Sequence, residues 1–179
     1  GGYSRSVISV TPGQIYNYSV GAGALTTSTL PGGNSWFSLT NEGSSILRAL
    51  GGASVSDNNS NGAPGGAIGT GQVTYSGGRG ANGNTDGGGG GSSAGTGANG
   101  NYTVATTSSN GATAPAGGGN GAPGRIGTNG PGTNSSTIGG GGGGSRRGSA
   151  PVSGGSGGNG QLIVSWCVIS LTSAPTTPN

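Results

Sequence analysis

Apolar residues crowd the two ends of the chain and thin out between them. In residues 3–21, YSRSVISVTPGQIYNYSVG, β-branched and aromatic side chains flank Pro12 and Gly13, the preferred central pair of a type II turn. The pattern predicts an antiparallel hairpin over residues 6–20, with Tyr16, Tyr18 and Val20 on one face and Ile15, Asn17 and Ser19 on the other. Two short apolar segments follow, SWFSL at 35–39 and ILRAL at 46–50. Glycine bounds both and no capping box precedes either, so each is expected as a strand. At the far end, residues 161–171, QLIVSWCVISL, are apolar on both faces, the pattern of a strand covered on both sides. This run is about half the length a membrane-spanning helix needs, so no membrane insertion is expected. Trp36, Phe37, Leu47, Leu162, Val164 and Trp166 are the expected core of this β part.

Between the apolar ends the pattern changes period. In GGNGAPGRIGTNGPG, residues 118–132, glycine stands at Gly118, Gly121, Gly124, Gly127 and Gly130. Three residues per turn is the period of polyproline II, so one whole edge of such a helix would be bare glycine. A bare edge lets neighbouring backbones approach and exchange hydrogen bonds, which buried N–H and C=O groups require. Shorter registers of three recur at Gly77, Gly80 and Gly83, at Gly97 and Gly100, and at Gly154, Gly157 and Gly160. Polar inserts at 54–61, 72–76, 101–110 and 133–138 separate the blocks. Regular blocks between irregular inserts predict rods joined by loops, with the 118–132 stretch as the organising rod. Collagen is excluded because it needs glycine at every third position without a break.

The expected fold is therefore mainly irregular and all-β: a bundle of polyglycine II helices with a small antiparallel β part at one end. Residues 1–50, completed by the 161–171 strand, form the β part, residues 51–160 the glycine-rich region, and residues 172–179 a tail or linker. The apolar side chains are too few to offset the cost of ordering a chain with 48 glycines, the residue that loses most freedom on folding. Lateral backbone hydrogen bonds must supply the difference, and the rim of a lone bundle would leave many of them open. A homo-oligomer, a trimer by analogy with fibres, is expected.

Composition removes most chemistry. The chain has no histidine, and its three acids, Glu42, Asp57 and Asp86, have no paired spacing. General acid–base work, Ser–His–Asp catalysis and histidine zinc sites all lose their usual residues, so no enzyme, metal or cofactor is expected. A net charge of +3, carried by arginine alone, is too dilute for a nucleic-acid footprint. Residues 95–100 fit GxGxxG, but such a match is expected by chance among so many glycines and no apolar strand precedes it. Cys167 reads as a buried small hydrophobe. What remains for recognition is the inserts, since loops on a rigid scaffold concentrate binding residues. Tyr75 and Tyr102 offer stacking area, Asn58, Asn59 and Asn101 offer amide donors and acceptors, and Arg146 and Arg147 offer attraction to anionic surface groups.

Specific stretches carry a resemblance as well. GGYSRSVISVTPGQIYNYSVGAGA from Gly1, GGNSWFSL from Gly32, the blocks GGGGGS from Gly87 and GGGGGGS from Gly139, and GGNGQLIVSW from Gly157 together resemble the glycine-rich domain of bacteriophage tail-fibre and receptor-binding adhesin proteins. The resemblance implies an extracellular virion protein built on stacked polyglycine II helices, whose inserts touch a host cell-surface glycan or outer-membrane protein. It implies as partners further copies of the chain or other virion proteins. The Gly-x-x runs are also similar to polyglycine antifreeze proteins, which are held by disulfides this sequence lacks. An ice-binding protein and a glycine-rich extracellular matrix protein are the alternative functions.

Overall fold

The computed structural model describes residues 1–26, 28–55, 61–103, 109–148 and 152–166. It is mostly non-helical, with five short strands in two small antiparallel sheets and one 3-10 turn at Glu42–Ser44 among the described residues. β1 (Tyr3–Arg5) pairs with β5 (Val73–Tyr75), while β2 (Asn17–Ser19), β3 (Ser35–Ser38) and β4 (Leu47–Ala49) form the second sheet in chain order. The two apolar segments expected as strands at 35–39 and 46–50 supply β3 and β4. Phe37 explains their register, since it stacks on Tyr16 at 4.9 Å and lies between Tyr18 on one side and Leu47 on the other.

The turn at the start of the chain forms, but the hairpin does not. Gln14 N–H donates to the Thr11 carbonyl at 3.0 Å and Gly13 has φ of 81°, the left-handed conformation that a type II turn requires at its third residue. Its two arms then pair with different partners, Tyr3 with Tyr75 and Tyr18 with Phe37. Gln72 accounts for the divergence. Its side-chain amide accepts from Val7 N–H at 3.0 Å and donates to the Val7 carbonyl at 3.2 Å, replacing the strand partner that Val7 would have had in the hairpin.

The closing strand also differs from expectation. Residues 161–166 form no strand, and 167–171 lie outside the described residues, as do Cys167 and the 172–179 tail. Val164 is 55% and Trp166 79% exposed, so neither is core; Trp36, Phe37, Leu47 and Leu162 are only half-buried. Among the described residues no large apolar side chain is buried, because the interior backbones pack too closely to admit one. The buried apolar residues among them are Ala81, Ala94, Ala112 and Ala122, joined by Ser35, Ser38, Ser92, Ser93 and Thr103.

The centre of the molecule is residues 87–95, GGGGGSSAG, every one of them buried. Its backbone is bonded to surrounding extended segments at intervals of three residues. Gly87, Gly90 and Ser93 donate to Arg125, Ala122 and Gly119 at 2.8–2.9 Å; Gly88 and Gly91 accept from Gly144 and Gly141; Gly89 and Ser92 accept from Ala81 and Gly78. Ala112 N–H reaches Gly90, Ser92 N–H reaches Asn101, and Ala94 N–H reaches Gly1, closing the ring of neighbours. A Cβ on Gly88 or Gly91 would strike the carbonyls of Ala81 or Gly78, whereas one on Gly87 or Gly90 would strike those of Gly144 or Gly141. Successive residues thus face successive neighbours, which is why the run must be glycine until it reaches Ser92.

The period at 118–132 has its cause here, although that stretch is a neighbour of the centre and not the centre. A Cβ on Gly118, Gly121 or Gly124 would meet the backbone of Ser93 and Ala94, of Gly90, or of Gly87 in turn. Gly127 leaves the series in a turn, with φ of 73°, and Gly130 lies against the Arg125 guanidinium. Across residue 50, Gly32 N–H donates to the Gly52 carbonyl at 2.9 Å, and β5, from the glycine-rich region, pairs with β1.

Candidate recognition surface

Backbone fills the lattice, so side chains can act only where segments turn or at the outer faces. Their first task there is structural. An extended segment at the rim has N–H groups with no carbonyl opposite, and asparagine supplies the missing acceptor. The Oδ1 atoms of Asn34, Asn82, Asn99, Asn120, Asn134 and Asn159 accept from the backbone N–H groups of Gly51, Gly62, Ser76, Ala114, Ser156 and Gly23, all at 2.7–3.0 Å. Four of these asparagines precede glycine, and at Gly100, Gly121 and Gly160 an added Cβ would strike a neighbour, so one residue reaches sideways while the next stays bare for close packing. The sequence signal was the repeated Asn-Gly dipeptide, which reads as turn chemistry until neighbouring segments are in place.

Where residues 84–86 and 127–129 bend, one carboxylate ties both bends to the segment at Arg146. Asp86 Oδ1 accepts from Arg146 Nη1 at 2.6 Å and from Gly127 N–H at 3.0 Å. Arg146 also exchanges backbone hydrogen bonds with Gly130, at 2.9 and 3.1 Å. Arg125 closes the 126–129 turn on itself, donating Nη2 to Thr128 Oγ1 at 2.8 Å and Nε to the Thr128 carbonyl at 3.3 Å. Sequence alone does not mark this role for Asp86, because its partner lies 60 residues away in the chain.

The residues expected to bind are therefore dispersed. Tyr102 projects outward, 71% exposed, beside Asn101, whose backbone is bonded to Ser92 in both directions and whose Nδ2 donates to the Thr113 carbonyl at 2.8 Å. Tyr75 is not in a loop: it lies on β5, half-buried, with its ring stacked on Tyr3 at 6.2 Å. Arg146 is occupied by Asp86, and Arg147 is exposed beside it. Asn101 and the 141–146 segment adjoin different flanks of the central run, so Tyr102 and the arginine pair do not share one patch. Asn58 and Asn59 lie outside the described residues.

Two open grooves also lie on the surface. One of about 670 Å³ runs past Leu30, Pro31, Leu50, Ala53 and Ala67, with the Glu42 carboxylate at its edge held by Asn34 Nδ2 at 2.6 Å. The other, about 370 Å³, lies beside Leu25 and Ile138. Both are lined mainly by backbone and short side chains, a shape that suits an extended chain or a surface better than a small reacting molecule.

The chain matches the family described as glycine-rich domain over residues 1–167. No curated protein and no solved structure matches it.

Proposed function

The chain belongs to the glycine-rich domain family, and on that premise we propose that it is a non-enzymatic structural protein of a virion, a fibre or adhesin component that attaches to the host surface through the inserts between its glycine-rich segments. In this reading the segments are polyglycine II helices packed as a bundle. One observation carries it: the central run 87–95 is buried along its whole length and bonded to its neighbours at three-residue intervals, the repeat of that helix.

The functional step follows from what such a bundle leaves available. Its interior offers mainly backbone, already paired, with a few buried Ala, Ser and Thr side chains, and so does little to distinguish one ligand from another. Discrimination falls to the inserts and turns, where Tyr102 presents a largely free ring. A bundle so tied is a stiff support, which spares the loops much of the entropy that binding would otherwise cost. The partners are a cell-surface glycan or outer-membrane protein on the host side, and further copies of the chain or other virion proteins on the particle side.

Binding of the purified chain to outer-membrane vesicles and to their extracted glycans, across a panel of bacterial envelopes, tests the reading. Saturable binding to some envelopes, weakened at least tenfold by Tyr102→Ala, is expected. Absence of binding to every envelope, together with thermal hysteresis in ice-growth assays, overturns it in favour of ice binding.

A further inference from the structure

The two outer strands of the β2–β3–β4 sheet are treated differently. On the β4 side the edge is taken: Arg48 N–H donates to the Thr70 carbonyl and Thr70 N–H to the Arg48 carbonyl, both at 2.9 Å, and Ser4 Oγ adds a bond to the same Arg48 oxygen at 2.6 Å. Among the described residues nothing pairs with the outward edge of β2. Asn17, Tyr18 and Ser19 carry no charge or proline, the devices by which sheets keep an edge from pairing. Tyr18 is 67% exposed, Val20 46% and Ile15 75%.

A strand-like segment begins at the foot of this edge. Gly160 N–H donates to the Gly21 carbonyl at 2.8 Å, and the chain that follows reads QLIVSW. Continued antiparallel from that pair, the register would set Ile163 opposite Tyr18. Among the described residues nothing pairs with this segment, with Ile163 72% exposed and Trp166 79%. The described residues therefore present an edge without a strand and, next to it, an apolar segment without an edge.

We propose that residues 161–166 of one copy pair antiparallel with the β2 edge of a second copy. Within one chain the segment makes no ladder with its own edge after Gly160, so both remain open among the described residues. Exchange between copies covers both without any further residue, which is the economy of a segment swap. The ladder supplies affinity through main-chain hydrogen bonds, and the side chains at 163 and 18 fix its register. The proposal stands on this edge and does not depend on the virion reading.

Paired cysteines test it. In the Cys167→Ser background, Tyr18→Cys and Ile163→Cys are combined in one chain, since directly opposed residues of an antiparallel ladder meet the distance a disulfide needs. A disulfide between chains on oxidation is the expected result. A disulfide within one chain overturns the proposal, because the edge would then be covered by its own segment. The chain without added cysteines supplies the second measurement. Its molar mass by light scattering is expected to exceed one copy and to rise with concentration, with the midpoint moved at least tenfold higher by Ile163→Lys. A monomer at all concentrations overturns the proposal, as does association that Ile163→Lys leaves unchanged.

Discussion

Asp86 and Arg146 stand 60 residues apart in the chain and meet at 2.6 Å, and the same carboxylate oxygen takes the Gly127 N–H. The bends at 84–86 and 127–129 and the segment at Arg146 are thereby held by one side chain. Both members are about one-third exposed, at 32% and 29%, so water screens the pair and its Coulomb value is modest. Asp86→Ala is expected to cost about 1–2 kcal/mol, more than an exposed ion pair alone, because the Gly127 donor also loses its acceptor. A double-mutant cycle with Arg146→Ala, read by thermal unfolding, is expected to show coupling that weakens as salt is raised.

Glycine substitutions divide sharply by position. In Gly90→Ala the new Cβ would fall on the backbone oxygens of Gly141 and Gly142, closer than real Cβ contacts come, and neither segment can withdraw without breaking its own hydrogen bonds. A loss of ~3 kcal/mol or more is expected. At Gly97 nothing lies within 4 Å of an added Cβ, and Gly97→Ala is expected to stay within about 1 kcal/mol of the parent. Equal effects from the two substitutions in chemical denaturation would refute the packing account of residues 87–95.

The asparagine stitches require an acceptor and not an amide. Asn82 Oδ1 takes the Gly62 N–H at 2.9 Å and Arg79 Nη2 at 2.9 Å. Asn82→Ala is expected to lower stability by about 1–2 kcal/mol, whereas Asn82→Asp, which keeps the acceptor and sets a charge beside Arg79, should retain parental stability at neutral pH. Amide hydrogen exchange at Gly62 reports the same bond directly and should accelerate only in the alanine variant.

The two tyrosines are expected to separate binding from stability. Tyr102 is 71% exposed, so Tyr102→Ala should leave the melting temperature unchanged and lower binding to envelopes. Tyr75 stacks on Tyr3 across the β1–β5 pair, and Tyr75→Ala is expected to cost about 1–2 kcal/mol while sparing binding in the folded fraction. Loss of binding without loss of stability at position 75 would return that residue to the recognition surface.

What the sequence determined by itself was local chemistry and repeat. Pro12 and Gly13 specify their turn because only glycine sits easily at the positive φ of the third position. SWFS and LRA become β3 and β4 because aromatic and apolar side chains have a sheet face to cover. Gly118, Gly121 and Gly124 recur every third residue because one edge of that segment faces the central run. Tertiary structure alone decided which segments meet: that 87–95 and not 118–132 is central, that the arms of the first turn part, and that residues 161–166 leave the sheet. The physical reason is the nature of the contacts. In an apolar core, side chains of particular size select one another and leave that selection in the sequence. Here the lattice is joined by N–H and C=O groups that every glycine carries alike, so partners are selected by loop lengths, by acceptors such as Asn82 and Gln72, and by the carboxylate of Asp86.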